Sequence, residues 1–335
     1  MRVIIDKEVV DAAANAQSVT KLHRLLGFAV EGRNVVIANP IDGFADWLSG
    51  LDQATRGAYQ GGLEQSARFA STLDADHATV HICLQQTGVW KNPISTLSLD
   101  EAVSLLDHPL GLLVENAAND WHFLRRMMRA SERQRLQYAV SRRWVEVLHG
   151  GGADLVPRLH DRASTPEGAL RTFVLFDSDR RHPDELDSSW TPTLSEACQG
   201  FLNEAAAKAK VADRYWRLNR RSIESYLPRA ELEIKVSNTQ GVPTGAVDVF
   251  FRMQPEARWY FNMKKGLNGD RPAENAHRSK NLYAGLTPAD RDALCTGFGR
   301  NAADQFGESS SVDFTWDNDA VLEAAGAIPR IMRLL

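Results

Sequence analysis

Cysteine is scarce in this chain: three residues in 335, Cys83, Cys198 and Cys295, far apart in sequence. No Cys-x-x-Cys pair and no Cys/His zinc spacing occurs, so neither a disulfide framework nor a zinc finger is supported. The three read as small buried apolar residues of a reducing compartment. Long apolar runs are missing too. No uncharged stretch approaches the roughly 20 residues a membrane span needs. The N-terminal MRVIIDKEVVDAAANAQ carries charges inside its apolar stretch, unlike a signal peptide. A cytoplasmic protein without a membrane contact is expected. The chain has no basic excess, its net charge being −4, so any nucleic-acid contact must come from local patches rather than from the total. No GxxxxGK[ST] occurs, so any ATP-driven step belongs to another chain. Internal repeats and long low-complexity segments are absent.

What is present divides into three textures. Residues 1–105 mix short apolar runs, Val35–Ala38 and Thr79–Leu84, with helical stretches and glycine turns; they read as an α+β accessory or partner-binding region. Residues 106–270 alternate more clearly. LGLLVEN (110–116) is a buried strand by its continuous apolar run. Residues 120–143 follow as a helix, with Phe123, Leu124, Met127 and Met128 on one face and Asn119 or Asp120 suited to the N-cap. WVEVLHGGG (144–152) is a second strand ending in a glycine turn. A short helix with Pro157 near its start leads to a third strand, TFVLFDSD (172–179). This order predicts a parallel, doubly wound α/β sheet flanked by helices, with its ligand site at the carboxyl ends of the strands. From residue 190 a helix marked by Pro192 is expected. Residues 271–335 read as a largely helical extension, with Thr287 and Pro288 opening one helix, a polar loop or short strand at 309–319, and a last helix interrupted by Pro329.

The chemistry-bearing residues fall at those strand ends. Asp177 and Asp179 are two apart, so a strand would point both carboxylates to one side. Two hard oxygen ligands so placed hold Mg²⁺ or Mn²⁺; a solvated turn is the plainer alternative. Glu115 ends another buried strand of the same sheet, and a third carboxylate there calls for a cation to offset the repulsion. Asp120 is either an N-cap or an outer ligand. Glu224, in RRSIESYLP, either forms a salt bridge or completes the cluster. The HGGG turn is a tight turn or a set of backbone donors for a phosphate.

The stretch LGLLVENAANDWHFL, then HGGG, then FVLFDSD resembles the Toprim domain shared by topoisomerases, DnaG-type primases and OLD-family nucleases. LNRRSIESYLP and YFNMKKGL are similar to downstream elements of OLD-type and related anti-phage defence Toprim nucleases. The resemblance covers about residues 108–270. It implies a Rossmann-like Toprim fold, Glu115 as ligand or as general acid or base, Asp177 and Asp179 as metal ligands, Asp120 and Glu224 completing the shell, and a lysine near the transition state. Lys264 and Lys265 are the candidates, Lys265 preferred. The family pattern has a glycine after the Glu and an acid four positions on; here Asn116 follows and Asp120 stands at five.

The implied activity is a Mg²⁺- or Mn²⁺-dependent endonuclease or nickase, two ions about 4 Å apart activating water and stabilising the leaving oxygen. It would act on DNA phosphodiesters as the effector of an anti-phage defence complex, beside a separate ATPase or sensor subunit and in a homo-oligomer or alone. Arg125, Arg126, Arg129, Arg220 and Arg221 are the candidate phosphate contacts; a solvated or partner-binding face is the competing reading. A haloacid-dehalogenase phosphatase also places Asp-x-Asp after a strand, but near its N-terminus and with Thr or Val where this chain has Arg181. The different-class alternative is a non-catalytic Toprim-like scaffold that binds DNA or an ATPase.

Overall fold

The computed structural model describes residues 1–13, 15–84, 87–193, 195–273, 281–299, 301–308 and 317–335. Among the described residues eight strands follow in chain order: β1 (Arg2–Asp6), β2 (Val35–Asn39), β3 (Thr79–Ile82), β4 (Ile94–Leu97), β5 (Leu110–Val114), β6 (Val145–His149), β7 (Thr172–Phe176) and β8 (Tyr215–Arg217). They form two four-stranded sheets, ordered β2-β1-β3-β4 and β6-β5-β7-β8. Every pairing within both sheets is parallel. The molecule is thus an α/β protein of Rossmann-like character. Each sheet places its second strand outermost, then its first, third and fourth, so a repeat invisible in the residues is present in the topology. The expected α+β mixture over the first 105 residues is corrected accordingly: that region carries a parallel sheet, with helices crossing back between β1 and β2 and between β2 and β3, and no helix among the described residues that join β3 to β4.

Those crossover helices are written locally. Between β1 and β2 lies Ala16–Val30, opened by the Asn15 side chain accepting from Ser18 N–H. It buries Leu22, Leu25, Leu26 and Phe28 at helical spacing, each side chain contributing about 1.5–3 kcal/mol. Leu99–Asp107 begins in a capping box of Ser98 and Glu101 and leads straight into β5. The strands β5 and β7 are buried at all five residues, the mark of a sheet covered on both faces. On one face Leu113, Val174 and Phe176 pack with Leu155, Leu159, Ala207 and Val211 of the helices Leu155–Arg162 and Gln199–Val211. On the other, Leu112, Phe173 and Leu175 join one continuous core that also includes Val3, Ile5 and Val80 of the first sheet.

Three sequence expectations shift. The helix expected over 120–143 is two, Asn119–Met127 and Ala130–Ser141, because Met128 and Arg129 are extended and the Glu132 carboxylate accepts from Arg129 N–H to start the second. The helix expected from Pro192 starts only at Gln199. A Cβ on Gly200 would lie 2.0 Å from the Ser178 carbonyl oxygen, so the helix end abuts the loop after β7 and the chain must arrive there before it can turn. The strand β8 was not expected; it is three residues long and bracketed by arginines. Thr287 and Pro288 open a helix as expected, with a capping box to Asp290. Asn318–Met332 runs through Pro329, which sits in its last turn. Of the loop or strand expected at 309–319, residues 309–316 lie outside the described residues. Among the described residues no helix is long and apolar enough to cross a membrane.

Candidate functional site

The strand order puts β5 beside β7, so Glu115 and Asp177 emerge at neighbouring carboxyl ends. The alternation argument for Asp177 and Asp179 does not carry over. β7 stops at Phe176, and Asp179 adopts a left-handed backbone (φ 52°), so a turn and not the pleat aims the two carboxylates. That turn is fixed from three sides. Ser178 Oγ donates to the Arg220 carbonyl at 2.7 Å, Asp179 N–H donates to the Arg221 carbonyl at 2.9 Å, and Gly200 N–H donates to Asp179 Oδ2 at 3.1 Å. Only glycine permits that last approach. Asp177 Oδ1 accepts from Ile223 N–H at 3.0 Å, which ties it to the short 3-10 turn Ile223–Tyr226 that carries Glu224.

Glu115 Oε1 accepts from Asn203 Nδ2 at 3.1 Å. Asn203 was not singled out in the sequence, although it lies one helical turn after Gly200. Asp120 is buried in the first turn of Asn119–Met127, and its Oδ2 accepts from Asn116 N–H at 2.8 Å. It is not the N-cap, nor is Asn119. Asn116 Oδ1 accepts from both Ala118 and Asn119 N–H instead, and so releases Asp120 to point inward. Asn116, where the Toprim pattern that the sequence resembles has glycine, therefore makes the turn.

Glu224 is 1% exposed, and its Oε1 lies 3.2 Å from Lys264 Nζ. Its other oxygen, Oε2, is buried with no hydrogen-bond partner among the described residues. The preference for Lys265 is corrected: Lys264 Nζ reaches Glu224, whereas the backbone N–H of Lys265 donates to Asn262 Oδ1. The lysine loop is held by paired glycines. Gly266 and Gly297, both with positive φ, approach so closely that a Cβ on either would strike the other's backbone at 2.3–2.5 Å.

The electrostatics join these groups into one cluster. Burial holds the Glu115 carboxyl well above its ordinary range, and the charges of Asp179 and Asp120 push it further. Asp177 is raised by burial and then by Glu115 and Glu224. Asp120 is raised by burial, and by Glu224, to about 7. Burial also raises Asp179, against the pull of Arg221 and Lys264. Burial works against charge on Lys264, but Glu224, Asp177 and Asp179 outweigh it and hold the ammonium above its usual range. All five acids expected from the sequence are thus within one another's field. They are not drawn as tightly as bound ligands are: among the described residues no three His, Cys, Asp or Glu side chains are gathered closely enough to hold a metal ion as they stand. Each acid is instead tethered to a backbone N–H, to Asn203 or to Lys264.

Two of the expected phosphate-binding arginines are internal. Arg220 is 4% exposed, forms a two-pronged pair with Asp317 at 2.6 and 2.7 Å, and packs on Tyr226 and Trp259. Arg126 is paired with Glu231 at 3.3 Å and with the Gln305 carbonyl. Both helix-like spacing and charge made them look like surface residues; buried acids from distant sequence drew them in. Arg129 is exposed, Arg125 lies over the Trp121 ring, and Arg221 donates to the Tyr260 carbonyl while its charge acts on Asp179. Removing one member of a buried ion pair typically costs about 3–5 kcal/mol. Arg220→Ala is therefore expected to lower unfolding stability in urea by about 3 kcal/mol and to leave the salt slope of nucleic-acid binding unchanged. Full stability with a shallower salt slope would return Arg220 to the binding surface.

No protein-family model, no curated protein and no solved structure matches this chain.

Proposed function

We propose that this protein is a Toprim-type nuclease, a Mg²⁺- or Mn²⁺-dependent endonuclease or nickase that hydrolyses DNA phosphodiesters as the effector of an anti-phage defence complex. The reading is supported most by one observation: five carboxylates from four separate segments lie within one another's field and that of Lys264, and one of them, Glu224, keeps a buried oxygen with no donor among the described residues. Burying an unpaired carboxylate oxygen among like charges is costly, and a divalent cation removes both costs at once. Asp177, Asp179 and Glu224 would hold it, with Glu115 and Asp120 as further oxygen donors. Bound there, Mg²⁺ or Mn²⁺ supplies Lewis-acid charge at the attacked phosphate and acidifies a water.

The chain's own residues supply the rest. Lys264 presents a compact positive charge where negative charge grows on the phosphoryl oxygens. Glu115, oriented by Asn203, is a ligand or the group that moves a proton. Arg129, Arg125 and Arg221 are left to contact phosphates. A separate ATPase or sensor chain would supply the trigger.

A second reading keeps the fold and drops the cutting: a Toprim-like scaffold for DNA or an ATPase. The tethering of each acid to a protein donor, with Lys264 already neutralising Glu224, favours it. Supercoiled-plasmid nicking separates the two. With Mn²⁺ the nuclease converts supercoiled plasmid to open circle or linear DNA, and EDTA stops it. DNA binding with no cutting in Mg²⁺ or Mn²⁺ gives the scaffold.

A further inference from the structure

Next to the carboxylates, and lined in part by the helix that contacts them, lies a cavity of about 360 Å³ with Arg180, Leu186, Trp190, Phe201, Glu204, Lys208 and neighbouring residues in its wall. That size falls within the roughly 300–1,000 Å³ of small-molecule sites. The helix Gln199–Val211 connects the two places residue by residue. Gly200 and Asn203 touch Asp179 and Glu115, while Phe201, Glu204 and Lys208 line the cavity. Arg180, which directly follows Asp179, forms the shared wall.

The lining has a specific chemistry. Trp190 and Phe201 meet edge to face with ring centroids 5.4 Å apart. The Arg180 guanidinium lies over the Trp190 ring at 5.0 Å and over Phe201 at 5.3 Å. Arg180 is 2% exposed and held by Glu204 at 3.0 Å, by the Glu185 carbonyl at 2.7 Å and by Cys198 Sγ. The aromatic pair is therefore set on a rigid charged base. Glu204 is itself matched by Arg180, Arg217 and Lys208, and its carboxyl is held below its ordinary range: burial opposes this, but the hydrogen bonds of Lys208 and Arg217 outweigh it. The rim holds Lys208, 60% exposed, and Arg217. An aromatic platform with cations at its edge is how proteins take up an unstacked base and its phosphate.

We propose that this cavity is a nucleobase subsite: it receives an unstacked base of the substrate strand beside the phosphate at the carboxylate cluster, stacking it on Trp190 with Lys208 and Arg217 on the flanking phosphate. The proposal rests on the nuclease reading for its substrate class, and it adds that the enzyme engages a single-stranded or locally opened strand.

The test uses the full-length protein and a fluorescein-labelled 12-nucleotide single-stranded DNA, followed by anisotropy in EDTA, so that cutting plays no part. Trp190→Ala is expected to weaken binding about tenfold, within the range of one lost stacking contact. Trp190→Phe, which keeps a ring, stays within about twofold. The same DNA carrying one abasic site, stepped along the strand, loses affinity at one position for the wild type and at none for Trp190→Ala. Equal affinity of wild type and Trp190→Ala, loss by Trp190→Phe as great as by Trp190→Ala, or no binding by any of the three, overturns the subsite. Asp177→Asn keeps the tenfold Trp190 effect in EDTA whether or not the carboxylates cut, so failure of the nuclease reading appears in the nicking assay and failure of the subsite appears here.

Discussion

Asn at both Asp177 and Asp179 is expected to lower plasmid nicking in Mn²⁺ by at least about a thousandfold while leaving the fold as stable as the wild type or more so. The two halves of this result have one cause. Both aspartates are buried and pushed toward protonation, and both accept a hydrogen bond that an asparagine oxygen can also accept, from Ile223 N–H and Gly200 N–H. The substitution therefore keeps the turn after β7 and removes only charge. In the ion-free protein that charge is a liability, as is common where function requires like charges together. Linkage gives the sign. Asp120 rises from 3.8 to about 7 on folding, so its contribution is fully favourable below pH about 4 and is lost as pH rises through about 7. Asp177 and Asp179 shift in the same direction, and the ion-free wild type should lose melting temperature over that window while the double variant loses less. Mn²⁺ should raise the melting temperature of the wild type at pH 7.5 in proportion to the logarithm of its concentration and leave the double variant unmoved. Nicking that survives in the double variant would remove these residues from the site, whatever the thermal data say.

The carboxyl ends of β5 and β7 were legible because a buried parallel strand has a strong signature: five apolar or β-prone residues in a row, then an acid. Strand–helix alternation implied a parallel sheet with its acids at the carboxyl ends, but the order that makes Glu115 and Asp177 neighbours appears only in the pairing of β5 with β7. What was not legible depends on contacts between distant segments. Nothing in NAAND says that Asn116 will cap the helix and free Asp120; that follows from Asn116 Oδ1 reaching two N–H groups at once. Nothing in SEACQGFLN says that Gly200 is spent on a backbone contact with Ser178, which sets where the helix begins and so places Asn203 on Glu115. The first sheet was missed because its strands are short and half exposed at β1 and β2, where the burial alternates. Arg220 and Lys265 were misjudged for a common reason: a charged residue's sequence neighbours do not reveal whether a partner such as Asp317 or Glu224 waits across the fold.

The lysine supplies the sharpest discrimination between the two readings of the site. Lys264→Met keeps the length of the side chain and removes its charge. If Lys264 faces the phosphate, nicking should fall about 10²–10³-fold, the usual cost of deleting one fixed donor to a transition-state charge, while Lys265→Met stays within about twofold. A purely structural lysine predicts something else. Its ammonium lies 3.2 Å from Glu224 and its side chain is 45% exposed, so its loss should cost about a third of a fully buried pair, about 1 kcal/mol, and nothing in turnover per folded molecule. The ion response separates them further. In the absence of a divalent ion Lys264 is the cation that neutralises Glu224, and the two cations compete for the same oxygens. Removing it should enlarge the Mn²⁺-induced rise in melting temperature even as cutting falls. Tighter ion binding with slower chemistry is the pattern of a residue whose charge acts on the substrate. Parallel loss of ion binding and activity would instead make Lys264 a strut for Glu224, and loss in Lys265→Met alone would restore the assignment that the sequence favoured.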